Sequence, residues 1–256
     1  MDDAAPPDPA DPERPSIASD ALLRPVRAGN AFEDTVGRLL QTIRLGVVAP
    51  GEALPPERDL AARFAVSRDT VREALRSLAD AGFVVSRRGR YGGTFVSDVL
   101  PPAGAGTALD STEPPRAVSA AELDDVLGLR ELLETGAARS AAARSLAAAD
   151  RESLWATLHE CRGAATADYR RLDSRLHLAI GELAGIPSLV PLLADSRTRV
   201  NEFLDRIPLL EPNIAHSDQQ HEAVVLAILT GDADGAAEAV REHLAGTAAL
   251  LRGFLG

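Results

Sequence analysis

Three histidines and an aspartate are spaced so that they could bind one metal ion. In "RLDSRLHLAI", Asp173 and His177 are four residues apart, which on a helix puts both side chains on one face within reach of a common point. The stretch "NIAHSDQQHEAVVLAILTGDADGAAEAVREHLAG" reads as two helices joined at Gly231-Asp232, with His221 ten residues before that glycine and His243 twelve after it. At about 1.5 Å of rise per residue both histidines fall roughly 15 to 18 Å from the turn, side by side on antiparallel helices. Three imidazoles and a carboxylate, with solvent or a ligand in the remaining positions, suit Zn²⁺, Ni²⁺ or another borderline divalent ion. A plainer reading stands beside this one, since a lone helical histidine is usually hydrogen-bonded or at the surface. His159 and His216 take that reading.

A second constellation is cationic. Arg68, Arg72 and Arg76 follow one another at four-residue steps in "SRDTVREALRSLADAG", so they form a ridge opposite Val71, Ala74, Leu75 and Leu78. Arginine pairs in bidentate fashion with the major-groove edge of guanine or clamps phosphate, and such a helix has donors outside and an apolar face holding it to its own domain. Arg58, at the start of the preceding helix, could hold the DNA backbone. Arg87, Arg88 and Arg90 precede "YGG", whose glycines let the main chain approach a phosphate or the minor groove. The competing reading is a solvated helix face, with Asp69 and Glu73 near enough to pair.

These residues need elements to position them. Phe32, Val36, Leu39, Leu40 and Ile43 keep helical spacing until Gly46 and the turn at Pro50-Gly51. "ERDLAARFAV" predicts a second short helix, with Leu60, Ala61 and Phe64 on one face. The arginine-bearing helix follows, with Ser67 as N-cap and Gly82 just past its end. "FVVSRRGRYGGTFVSDV" is a hairpin signal. Helix, helix, helix, hairpin is the order of a winged helix-turn-helix. Residues 99–119 are rich in proline, glycine and small polar residues and read as a linker. From Ala120 onward only helical patterns occur, about six of them, predicting an all-α bundle. The expected fold is therefore mainly α: residues 29–98 a winged helix-turn-helix, 99–119 a linker, 120–256 a helical bundle. Residues 1–28, acidic and proline-rich, are expected to be a disordered tail rather than a signal peptide.

The chain has 256 residues and 45% hydrophobic content, enough for more than one core. Its net charge is −11, and all 27 basic residues are arginine. The charge is uneven: residues 29–98 hold 10 arginines against 9 acids, and residues 119–256 hold 13 against 21. A protein that coats nucleic acid is excluded, but a locally basic face on a nearly neutral domain is enough for phosphates. With Cys161 as the one cysteine there is no disulfide framework, and no apolar run is long enough for a membrane span. A cytoplasmic protein is expected.

Residues 30–98 resemble the winged-helix domain of the GntR family of bacterial transcription regulators, above all in "LPPERDLAARFAVSRDTVREALRSLADAGFV" and "GRYGGTFV". The resemblance implies that Arg58, Arg68 and Arg72 contact DNA and that Gly92 lies at the wing tip. One departure is Pro56, where the family usually has a serine as helix N-cap. Residues 120–256 resemble the FCD ligand-sensing domain of the FadR branch, in "DSRLH", "QQHEAVVLAILTGDADGA" and "REHL". That resemblance maps the family's metal ligands onto Asp173, His177, His221 and His243. It also matches the arginine and glutamate of the opening helix to Arg130 and Glu134. Arg130 would pair with a ligand carboxylate, because a buried guanidinium needs an anion; an ion pair with Glu134 is the other reading. Arg197, Arg199 and Asn201 stand on a helix that could line the far side of the pocket, on a register the sequence leaves open.

Two function classes follow. The first is a one-component regulator, expected to be a repressor: a homodimer binds double-stranded operator DNA, and a small carboxylic acid in the metal-containing bundle shifts the DNA-binding domains. The second is a metal-dependent enzyme acting on a small carboxylate. No general base beside the metal set can be placed, and a DNA-reading domain has no evident purpose in an enzyme. The regulator is therefore the expectation.

Overall fold

The computed structural model describes residues 22–23, 25, 31–89, 92–101 and 118–255. Helix α1 spans Ala31–Arg44, α2 Glu57–Phe64 and α3 Arg68–Asp80. Strands β1 (Val84–Arg87) and β2 (Gly93–Val96) pair antiparallel, with Val84 opposite Val96 and Arg87 opposite Gly93. The winged helix-turn-helix read from the sequence is thus present. Its core is one cluster built from α1 (Leu39, Ile43), α2 (Leu60, Phe64), α3 (Val71, Leu75, Leu78) and the wing base (Val84, Val96).

Local signals act as expected at several helix ends. The Ser67 hydroxyl accepts from the Thr70 backbone N–H at 3.0 Å, capping α3. Pro56 precedes α2 without any side-chain cap. The turn between α2 and α3 is made by Ala65 at φ +55°, an unusual left-handed position for a residue with a Cβ. At the wing, a Cβ on Gly92 would lie 2.5 Å from the Arg87 carbonyl oxygen, so that position needs glycine. Arg90 and Tyr91 lie outside the described residues.

Six helices form the second unit: α4 (Ala120–Ala142), α5 (Ala148–Arg162), α6 (Tyr169–Leu183), α7 (Leu189–Leu204), α8 (Glu211–Thr230) and α9 (Ala233–Leu255). Ser119 caps α4 by accepting from Glu122 N at 3.1 Å. Gly231, at φ +80°, ends α8, and Asp232 starts α9 by accepting from Gly235 N. A large core joins α4 to α9, and a smaller one gathers Leu123, Leu127, Val200, Phe203 and Leu251 at one end. Among the described residues no helix is long and apolar enough to cross a membrane.

Residues 102–117 of the expected linker and most of the expected tail lie outside the described residues. At Leu22 and Leu23 the tail expectation does not hold. Leu22 is buried in the core of the helical bundle and Leu23 in that of the winged helix, because two adjacent leucines gain more by burial than the acidic, proline-rich composition around them suggests. The two units also meet directly. Gln41 of α1 donates to Asp195 (3.0 Å) and Thr198 (3.1 Å) of α7, with Arg38 3.3 Å from Asp195. A cavity of about 830 Å³ opens along this seam.

Candidate metal centre and DNA-facing helix

Asp173 and His177, one turn apart on α6, meet His221 of α8 and His243 of α9 inside the bundle. One ligand atom from each lies within 4.8 Å of the others. All four residues are buried. The helical hairpin at Gly231 sets the two histidines level, as the residue count from the turn requires, and their Nε2 atoms are 3.2 Å apart. His221 Nε2 is 3.3 Å and His177 Nε2 3.7 Å from Asp173 Oδ1. Nitrogens about 2.0–2.1 Å from one ion at right or tetrahedral angles would be separated by roughly 2.9–3.4 Å. The spacing therefore suits ligands around a single cation. His177 Nε2 is buried without a hydrogen-bond partner among the described residues, an orphan that a metal would satisfy.

The surrounding residues prepare these donors. Glu134 of α4 places Oε2 2.6 Å from His177 Nδ1; a carboxylate at that nitrogen favours a proton there and leaves Nε2 for the inner side, the arrangement metal-bound imidazoles favour. Gln220 lies 3.2 Å from His243 Nδ1 and does the same there. Arg197 of α7 contacts Asp173 Oδ2, which leaves Oδ1 to face the imidazoles. Arg197 is fully buried and also 3.7 Å from Glu134 Oε1. Ser174 accepts from Asn201 at 2.9 Å.

The protonation states follow from burial opposed by charge. Burial alone would raise the Asp173 and Glu134 carboxyls, but Arg197 and His177 for the former, and His177 and Arg130 for the latter, hold both well below the usual range. Burial, helped by the neighbouring imidazoles, pushes His243 well down. Burial also lowers His221, against the pull of Asp173. His177 goes the other way: burial would lower it, but Glu134 raises it overall. Burial therefore favours the neutral form of His221 and His243, the form in which an imidazole can be a ligand, whereas Glu134 favours the protonated form of His177.

Of the two readings the sequence left open for Arg130, the ion pair with Glu134 is present. Its Nε donates to Glu134 Oε1 at 3.0 Å, while its Nη1 is buried with no hydrogen-bond partner among the described residues. Arg199 does not join the pocket, contrary to one option for its helix. It is exposed and pairs with Glu122 and Glu202, each at 2.8 Å. Glu134 as the partner of His177, Arg197 as the clamp on Asp173, and Gln220 beside His243 were not assigned from sequence, because each contact joins two different helices. Cys161 and Asp218 lie within 4.8 Å of His221 as a second group, but burial pushes the Cys161 thiol upward, so it stays protonated and is a poor metal ligand. His159 stacks edge-on with Trp155 at the surface.

On the other unit, Arg68, Arg72 and Arg76 are all exposed along α3, and Arg58 is exposed on α2. Arg72 is braced by Glu57 of α2 (3.2 Å) and Asp69 (3.1 Å). The bracing limits its rotamers without removing its remaining N–H groups. Arg58 pairs with the adjacent Asp59 at 3.1 Å, and Arg87 lies over the Phe95 ring.

Comparison with known proteins follows the same division. Residues 32–96 match "Bacterial regulatory proteins, gntR family", and residues 125–246 match "FCD domain". The "Putative L-lactate dehydrogenase operon regulatory protein" of Escherichia coli (strain K12) is 32% identical over 237 residues, covering 87% of this chain and 86% of that protein. The "HTH-type transcriptional repressor NanR" of Cronobacter sakazakii is 30% identical over 243 residues, covering 89% of each. Among solved structures, E. coli McbR/YncC shares the fold, with a TM-score of 0.54 at 18% identity over 88% of this chain and 98% of that one. The enzyme alternative finds no counterpart in these relatives, which are transcription regulators. With both its DNA-binding and its FCD halves matched, the chain belongs to the GntR family of bacterial transcription regulators.

Proposed function

We propose that this regulator is a cytoplasmic repressor whose grip on operator DNA is set by a small organic acid held at a metal in the helical unit. The domains would divide as 29–98, 99–119 and 120–256 behind a tail, with two copies reading a palindromic operator. Arg68, Arg72 and Arg76 would enter the major groove, Arg58 would hold the backbone and the wing at Gly92 would approach the adjacent groove. Asp173, His177, His221 and His243 would hold a divalent ion, Zn²⁺ or Ni²⁺ by the nature of the donors. The ion supplies a Lewis-acidic position that takes a ligand oxygen.

The observation that carries the effector class is the charge of the pocket. Arg130 and Arg197 balance Asp173 and Glu134, so with neutral histidines a divalent ion leaves two buried positive charges uncompensated. Such an excess calls for an anion, and the unpartnered Nη1 of Arg130 offers a donor to the same ligand. A small carboxylic acid fits. The naming of one relative for an L-lactate dehydrogenase operon, and of another as a repressor, supports this reading. Elemental analysis after dialysis against metal-free buffer tests it, with wild type and His221→Ala side by side. About one equivalent of divalent metal, lost in the variant, is expected. No metal in either protein would refute the metal-held effector.

A further inference from the structure

Helix α4 is the central helix of the bundle, yet one stripe of it faces outward. Asp125, Gly128, Leu129, Leu132, Gly136 and Arg139 are all exposed, with Leu132 at 75% and Leu129 at 50%. A Cβ built on Gly128 or Gly136 meets nothing within 4 Å, so nothing inside the chain calls for glycine there. Each glycine nevertheless costs about 1 kcal/mol against alanine in a helix interior. On an exposed stripe they leave the helix backbone open to close approach from outside.

Leu129 apart, the stripe is laid out evenly about Leu132. Four residues to either side of Leu132 stand Gly128 and Gly136, and seven residues to either side stand the opposite charges Asp125 and Arg139. We propose that this stripe is the face through which two copies of the chain pair, α4 against α4, antiparallel about a twofold axis through Leu132; it rests on the dimer reading above. Leu132 then meets Leu132 of the second copy. Gly128 faces the Gly136 position, where missing side chains let the helix backbones approach. Asp125 meets Arg139 at both ends, because a twofold interface makes every contact twice. Arg139 already leans on the exposed Asp234 at 2.6 Å, and the second copy's Asp125 adds to that pair. An unrelated partner would need the same charges at the same spacing. A second copy has them by construction.

Sedimentation of the full-length chain, holding whatever metal it carries, tests this across a dilution series. Wild type is expected to be a dimer, and Leu132→Asp, which sets two carboxylates against each other, should raise the dissociation constant more than about a hundredfold. Asp125→Arg and Arg139→Asp should each raise it about tenfold, and the double swap should return it to within a few-fold of wild type. Unchanged helical circular dichroism separates lost pairing from lost folding. A dimer as tight in Leu132→Asp as in wild type would overturn the α4 interface and leave the dimer reading standing. A swap that fails to rescue the two single variants would overturn the antiparallel register. A monomeric wild type at operator-binding concentrations would overturn the dimer reading and the interface together.

Discussion

Glutamate 134 is the hub of the buried charge network, and replacing it with glutamine tests that role at nearly constant volume. Its carboxylate is 3.0 Å from Arg130 Nε, 3.7 Å from Arg197 Nη1 and 2.6 Å from His177 Nδ1, at 3% exposure. Glu134→Gln leaves two guanidiniums with only Asp173 as counter-charge. Removing one partner of a buried ion pair costs about 3–5 kcal/mol, and because the amide oxygen can still accept from Arg130 the lower end applies, about 3 kcal/mol. At roughly 2–4 °C per kcal/mol for a chain of this size, the metal-free variant should melt about 6–12 °C below wild type. The sign with pH follows from the depressed Glu134 carboxyl. Its stabilisation is present above the unfolded carboxyl range and is lost as pH falls through the folded value, so the gap should close in acid. Losing the carboxylate that orients His177 should also weaken metal binding about 10- to 100-fold. Calorimetric melting of chelator-treated protein and a competition titration against a chromophoric chelator read the two effects. Glu131→Gln, at an exposed site on the same helix, is the control. Melting within about 2 °C of wild type, together with unchanged metal affinity, would refute the hub.

Three further predictions follow from other parts of the molecule. Because Glu134 raises His177, metal uptake through that imidazole should expel protons, fewer as pH rises past the His177 value; equal apparent heats in buffers of different ionisation enthalpy would count against it. Arg72→Ala should weaken operator binding by about 1–3 kcal/mol with relaxed base selectivity if it reads a base. If it holds a phosphate instead, the salt slope should fall by about one. Fluorescence anisotropy across a salt series decides between these outcomes, and unchanged binding would remove Arg72 from the interface. Ala65→Gly should stabilise the winged helix by roughly 1 kcal/mol by relieving the left-handed turn at φ +55°. Unchanged urea midpoints would mean that the turn carries no such strain.

Much of this was legible in the chain because the informative signals are local or nearly so. Ser67, Gly82 and Gly231 mark helix ends by their own backbone chemistry, and counting residues from Gly231 placed His221 beside His243 because both helices run without interruption. Asp173 and His177 needed only the helical repeat. What escaped depends on rotation about a helix axis and on packing between elements distant in sequence. Arg197 and Arg199 are two residues apart, yet one is the buried clamp on Asp173 and the other an exposed partner of Glu122. No local signal distinguishes them. Glu134 was visible as a companion of Arg130, but its contact with His177 joins α4 to α6 across the core, and only the packing of those helices reveals it. The burial of Leu22 and Leu23 was hidden by the composition of the segment around them.

Helix α7 presents Arg197 and Asn201 to the pocket side and Asp195 and Thr198 to α1 of the DNA-binding unit. A single stiff rod therefore touches both sites, and any ligand that rotates or shifts it must work against the hydrogen bonds to Gln41. If an acid held in that pocket changes operator affinity by some factor, thermodynamics requires the operator to change affinity for the acid by the same factor. A stretch of DNA would then act as a tunable load on a pocket on the opposite face of that rod, and the affinity of the acid for its regulator would differ between free protein and protein seated on its promoter.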